Sequence, residues 1–90
     1  MPSSLTLAEV RSPNDDADEI LLRTLAVRFK AVEHLRAIKR EANVPTEDVV
    51  RENKLRDKWK KLSEKFKLRP EFALLILDII LVESKRLQDA

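Results

Sequence analysis

Charged side chains interrupt the apolar face of a helical segment in the first half of the chain. Val32, Leu35 and Ala42 recur at the spacing of one helix face. The same 4-3-4-3 spacing, starting from position 28, places Arg28 and Lys39 on this face. Burying a charge costs on the order of several kcal/mol unless the charge is paired. Two cations on this face therefore need either partners or a function.

Two later segments show the same interruption. Glu52 and Asp48 precede Leu55 at helical spacing on the second segment. Ser84 and Gln88 continue the apolar face of the third segment. The polar positions on the three apolar faces thus include both signs of charge and neutral donors: Arg28, Lys39, Asp48, Glu52, Ser84 and Gln88.

These residue types favour an anionic ligand. Two cations, or three with Arg51, predict a ligand with more than one carboxylate or phosphate group. The acids and the amide would contact its hydroxyl or ether groups, in the polar pocket of a helical bundle. A structural alternative remains, in which Arg28 with Glu52 and Lys39 with Asp48 form buried ion pairs that fix helix register.

Composition and chain breaks indicate the helices that must position this set. The chain has 90 residues, no Gly and four Pro, with 43% hydrophobic and 38% charged residues, which predicts one all-α domain over residues 1–90. We expect residues 1–7 to be disordered. We expect three helices. The first covers Asp15–Ala42 or begins earlier, with Ser12 and Pro13 as its candidate N-cap and first helical position; the second runs from Thr46 or Asp48 to about Lys67, and the third from Glu71 to near the C-terminus. The third is apolar almost all round, which predicts a central position.

Charge and composition also exclude several classes of function. The net charge is +2 with both signs interspersed, which argues against nucleic-acid binding. The absence of Cys excludes thiol catalysis, and the single His predicts no metal site. The apolar run at 72–82 is too short to span a bilayer, and the N-terminal residues show no secretory signal. We expect a soluble, cytoplasmic protein without membrane partners.

The ordered polar set resembles the all-helical chorismate mutase family over about residues 8–88. The matching elements are Arg11, the segment LAVRFKAVEHLRAIK, the segment DVVRE and the segment VESKRLQ. The likeness is strongest to the mutase domain of the bifunctional chorismate mutase–prephenate dehydratase, the P-protein. The resemblance implies an intertwined homodimer of three-helix chains, with a long first helix. It also implies an isomerase of aromatic amino-acid biosynthesis that converts chorismate to prephenate without a cofactor.

The resemblance further implies a role for each residue of the set. Lys39 and Gln88 would donate hydrogen bonds to the ether oxygen of chorismate, and Glu52 with the backbone of Asp48 would accept from the ring hydroxyl. Lys39 would also contact a carboxylate. The remaining residues would bind substrate carboxylates: Arg28, Arg11 from the partner chain, Arg51 through water, and Ser84.

One stretch departs from the family pattern. Residues 11–16 are RSPNDD, where the family has continuous helix. Because Pro removes a helical hydrogen bond and clashes with the preceding turn, we expect a kink there or a helix that starts at Ser12. Either arrangement would leave Arg11 less well preorganised.

Two other functions remain open on the sequence. An isochorismate-pyruvate lyase has a similar fold, although Glu52 in the Asp48–Arg51 context favours the mutase. A helical dimerisation module without catalysis is the other alternative.

Four further residues are expected to be structural. His34 lies off the apolar face and is predicted to be exposed, whereas Trp59 and Phe66 are predicted to be core. Asp78 interrupts the most apolar helix. The sequence suggests no function for it, and the one expectation is that its carboxylate has a buried partner.

Overall fold

A computed structural model describes residues 4–45 and 48–89. These residues form three helices, α1 (Leu7–Ala42), α2 (Val49–Lys65) and α3 (Pro70–Asp89), which confirms the predicted all-helical class. The chain divides into two compact units, Met1–Ala31 and Val32–Ala90. Thr46, one of the two expected caps of the second helix, and the first three residues of the expected disordered segment lie outside the described residues.

The first helix begins earlier than predicted. The Thr6 hydroxyl oxygen accepts a hydrogen bond from the backbone N–H of Glu9 at 3.2 Å, so Thr6 caps α1 and Glu9 lies in its first turn. The helix continues through Pro13, so the expected start at Ser12 is wrong and the earlier start is the one observed. The sequence T-x-x-E at 6–9 is an N-terminal helix signal, and it places the helix start before the proline.

The apolar side chains of α1 are largely uncovered within one chain. Val32 is the buried residue of this helix among those described. Leu21, Leu22 and Val27 are 59%, 66% and 67% exposed. Most apolar side chains of this 36-residue helix are therefore solvent-exposed within one chain.

Local sequence explains where α2 begins and ends. Asp48 has extended backbone geometry, and its Oδ1 accepts from the Arg51 backbone N–H at 3.0 Å, so it is the N-cap. At the other end, Lys67 has a φ of 59°. The backbone N–H groups of Leu68 and Lys67 then donate to the carbonyls of Ser63 and Glu64 at 2.8 and 3.2 Å, closing the helix in a Schellman motif.

The core lies where α2 packs against α3. Leu77 is fully buried, and Ala73, Ile80 and Leu81 are nearly so. The predicted central position of α3 holds for this face only, because Leu75, Ile79 and Val82 on other faces are at least 62% exposed within one chain.

Ion pairs at the edge of the core link the same two helices. Arg56 lies 2.6 Å from Asp78, and Lys85 lies 2.8 Å from Glu52. Asp78 therefore has a partner, but the pair is half-exposed rather than buried.

The structure also tests three residues that were expected to be structural. His34 is exposed, as predicted, and Trp59 is half-buried. The assignment of Phe66 to the core is wrong, because its side chain is 64% exposed. Phe66 is the C-cap of α2, beyond the packed turns, and the Lys65 ammonium lies 5.6 Å from its ring centroid.

Candidate active site

A cationic cleft lies between the C-terminal turns of α1 and the last turn of α3. Its volume is about 150 Å³. Its lining residues are Arg36, Lys39, Arg40, Val44 and Gln88. All five belong to the unit Val32–Ala90. The cleft contains two residues of the predicted catalytic set, Lys39 and Gln88.

The end of α1 positions one wall of this cleft. Arg36, Lys39 and Arg40 lie three and four residues apart, and this spacing puts them on one helix face. The helix then closes at Asn43, with a φ of 55°, and the Val44 backbone N–H donates to the Lys39 carbonyl at 2.9 Å. This bond folds the chain back so that Val44 also reaches the cleft.

The end of α3 positions the other wall. Ser84 is buried, and its hydroxyl donates to the Ile80 carbonyl at 2.8 Å. Gln88 Nε2 donates to the Ser84 carbonyl at 3.3 Å, which fixes the amide against its own helix. A fixed amide has lost rotational freedom before any ligand binds, and this favours directional hydrogen bonding.

Two polar atoms of cleft residues are buried and unsatisfied. Within residues 4–45 and 48–89, Arg36 Nε and Gln88 Oε1 have no hydrogen-bond partner. A buried polar atom without a partner costs about 1–3 kcal/mol. An unsatisfied donor and an unsatisfied acceptor on one cleft indicate a place where a polar ligand or water binds.

The acidic residues of the predicted set lie on α2. Glu52 is only 16% exposed and its Oε1 pairs with Lys85 Nζ at 2.8 Å. Asp48 is exposed and uses its carboxylate to cap the helix. Arg51 is also exposed, on the first turn of α2. These three residues and Ser84 are not part of the cleft lining formed by the described residues.

The two remaining cations of the predicted set lie on the earlier part of α1. Arg11 is exposed and Arg28 is half-buried. Both belong to the unit Met1–Ala31. Their participation in the same site stays a prediction.

Sequence reasoning missed two cleft residues, Arg36 and Arg40. Both were detectable in principle, because they lie within one turn of Lys39 on a face that also carries charge. The apolar face predicted from helical spacing passes through Leu35 and Lys39, and Arg36 and Arg40 lie next to it rather than on it.

The arrangement is suited to binding an anion and donating hydrogen bonds. Three cations and an amide line a small cleft, where the positive charges attract carboxylate or phosphate groups. Within residues 4–45 and 48–89, no group of three or more His, Cys, Asp and Glu residues could hold a metal ion. Across the same ranges, no helix is long and apolar enough to cross a membrane.

Comparison with known proteins agrees with this chemistry. A chorismate mutase from Methanocaldococcus jannaschii is 28% identical over 82 residues, which cover 91% of this chain and 83% of that protein. The chorismate mutase type II family matches residues 10–89. This range contains every residue of the predicted site and all five residues that line the cleft. The chain therefore belongs to the chorismate mutase type II family.

Proposed function

We propose that the chain converts chorismate to prephenate in the cationic cleft, with Lys39 and Gln88 acting on the ether oxygen. Chorismate mutase activity, an isomerase reaction, is supported by the family match and by the archaeal relative. The observation that carries the mechanism is that Lys39 and Gln88 line the same cleft although 49 positions separate residue 39 from residue 88.

The chemistry needs no nucleophile, metal or cofactor. One C–O bond breaks and one C–C bond forms in a single intramolecular step, and no proton or electron leaves the substrate. Catalysis then depends on holding the reactive conformer and on stabilising negative charge at the ether oxygen as the C–O bond breaks. A donor that bonds more strongly to this oxygen in the transition state than in the ground state raises kcat.

Gln88 is well placed for such a role. One hydrogen of its Nε2 is engaged by the Ser84 carbonyl at 3.3 Å, so the second hydrogen remains for the substrate. Lys39 supplies a formal positive charge from the opposite wall of the cleft. A charged and a neutral donor that converge on one oxygen form an oxyanion-type site.

The other residues of the set are proposed to bind the periphery of the substrate. Glu52, with the backbone of Asp48, accepts from the ring hydroxyl. Arg28 binds a carboxylate, and Arg51 binds through water. Ser84 completes carboxylate binding once its hydroxyl leaves the Ile80 carbonyl.

The proposed assembly is an intertwined homodimer in which Arg11 reaches the site of the partner chain. Its support is the exposed apolar surface of α1, including Leu21, Leu22 and Val27, and of α3, including Ile79 and Val82. A second copy would cover both surfaces. We also propose that, within the family, the chain is most similar to the mutase domain of the P-protein, and that it is located in the cytoplasm. Sedimentation equilibrium should give twice the chain mass of 10.5 kDa, and a monomer at micromolar concentration would contradict the assembly.

The test of the proposed activity is the loss of chorismate absorbance with prephenate as product. Lys39→Ala should lower kcat/KM by about a hundredfold or more without loss of folding, since it removes the charged donor. Lys61→Ala, on the exposed surface of α2, is the matched control and should keep wild-type turnover. Release of pyruvate from isochorismate, with no prephenate formed from chorismate, would instead establish the lyase. If neither substrate is converted, a dimerisation module without catalysis is favoured.

A further inference from the structure

We propose that Arg36 is a further substrate-binding residue, whose Nε–H donates to a carboxylate of the molecule bound in the cleft. This inference rests on the proposed function, because the anion is a substrate carboxylate. It assigns a contact to a residue outside the set that the family resemblance implies.

Within the described part of the chain, the Arg36 side chain has a buried donor without a partner. Arg36 is half-buried and lines the cleft, yet its Nε is buried without a hydrogen-bond partner among residues 4–45 and 48–89. A buried N–H donor without an acceptor is energetically costly. Because Arg36 lines the cleft, a carboxylate bound there would supply the acceptor that this N–H lacks, once a small rotamer change turns the Nε–H toward it.

The guanidinium of Arg36 has the geometry that a carboxylate requires. Nε–H and one Nη–H form a planar fork that matches the two oxygens of a carboxylate. The ammonium of Lys39 has no such fork and is a compact charge that suits a single oxygen. Arg36 is therefore suited to hold a carboxylate through two N–H groups, and Lys39 is suited to donate to the ether oxygen.

Arg36 also lies close to the proposed ether-oxygen donors. Arg36 precedes Lys39 by three residues on the same helix face, so the two side chains are neighbours along α1. Gln88 lines the same cleft from α3. A dicarboxylate seated between the two helices would therefore meet a carboxylate-binding group beside both proposed ether-oxygen donors.

The kinetic test compares Arg36→Lys with Arg23→Lys. The first change keeps the charge but removes the Nε–H fork, and the second makes the same replacement on an exposed arginine of α1 that pairs with Glu19. Arg36→Lys should raise KM for chorismate about tenfold with kcat within about twofold, since a carboxylate contact exists in both the ground state and the transition state. Arg23→Lys should match the wild type in both constants.

A loosened fold would give a different pattern. It would lower kcat and the unfolding midpoint together, whereas loss of a binding contact raises KM at an unchanged midpoint. A KM for Arg36→Lys equal to that of the wild type overturns the inference, and so does a fall in kcat that tracks a lowered midpoint.

A second measurement separates this inference from the proposed function. Calorimetric titration with malate, a simple dicarboxylate, needs no turnover. If the wild type does not convert chorismate but binds malate several-fold more tightly than Arg36→Lys, the proposed activity fails and the carboxylate contact stands. Equal malate affinity in an inactive protein, or no measurable malate binding, overturns the contact as well.

Discussion

Lys85 Nζ lies 2.8 Å from Glu52 Oε1, and this pair joins α3 to α2 beside the core. The Glu52 side chain is only 16% exposed, whereas that of Lys85 is 37% exposed. The carboxylate proposed to accept from the substrate hydroxyl is therefore already oriented by a cation on another helix. Such an arrangement reduces the reorganisation required on binding.

We expect Lys85→Met to destabilise the fold by about 1 kcal/mol, because it leaves a largely buried carboxylate without this partner. Arg56→Met removes the α2–α3 ion pair with Asp78, whose side chains are 40% and 48% exposed, and should cost less. Denaturant unfolding of both variants measures the difference. An equal or larger loss for Arg56→Met would mean that burial of Glu52 does not set the cost.

Pro13 offers a test of the first helix. The residue lies inside α1 and lacks the N–H that would donate to the carbonyl of Glu9. Pro13→Ala restores this bond and should stabilise the helix by about 1–3 kcal/mol, seen as increased ellipticity at 222 nm and a higher unfolding midpoint.

The same variant tests the preorganisation of Arg11. A more regular helix around position 11 should lower KM for chorismate if Arg11 contributes to a site. Asn14→Ala is a control for a simple gain in helix propensity at an exposed neighbouring position. If Pro13→Ala stabilised the helix but left KM unchanged, Arg11 would not be limited by the proline.

Ser84→Ala should have a modest effect on turnover. The hydroxyl donates to the Ile80 carbonyl at 2.8 Å, so binding a carboxylate exchanges one hydrogen bond for another. We expect KM to rise by about twofold to fivefold with little change in kcat, because exchanging one hydrogen bond for another changes the binding free energy only slightly. A hundredfold loss in kcat would place Ser84 at the reacting atoms instead.

The exposed pair Glu83–Arg86 predicts a small pH dependence of stability. Arg86 Nε donates to Glu83 Oε1 at 2.6 Å, and this hydrogen bond lowers the pKa of Glu83. A lowered carboxyl pKa contributes stability above the ordinary pKa of Glu, and this contribution disappears as the pH falls through the lowered value. The midpoint difference between wild type and Glu83→Gln should thus shrink on acidification. A difference that grew at low pH would contradict this origin.

Local signals explain how much of the fold could be predicted. Asp48 and Pro70 bound α2 and α3 within a residue or two of the expected positions, because a cap and a proline act on their own neighbours. α1 starts at Leu7, before the candidate cap at Ser12, because the Thr6 hydroxyl caps the helix and the chain stays helical through Pro13. Phe66 was misassigned because periodicity places a residue on a face but does not say where packing along the helix ends.

The site was predictable only in part. Lys39 and Gln88 share a cleft, and charge on two apolar faces was enough to single them out. Arg36 lies beside the predicted apolar face, where a cation is normally solvated. Only the burial of its Nε distinguishes it from an ordinary surface arginine. Burial of a single atom depends on the neighbouring helix and is not encoded in helical spacing.

The glycine-free composition has a consequence for the unfolded chain. Both α1 and α2 are followed by a left-handed residue that is not Gly, Asn43 and Lys67. Asn tolerates this conformation, whereas Lys67 is held there at a cost on the order of 1 kcal/mol. A chain without Gly has fewer accessible backbone states before folding, so it loses less conformational entropy when it folds. This smaller entropy loss helps a short chain to tolerate an unfavourable turn at Lys67.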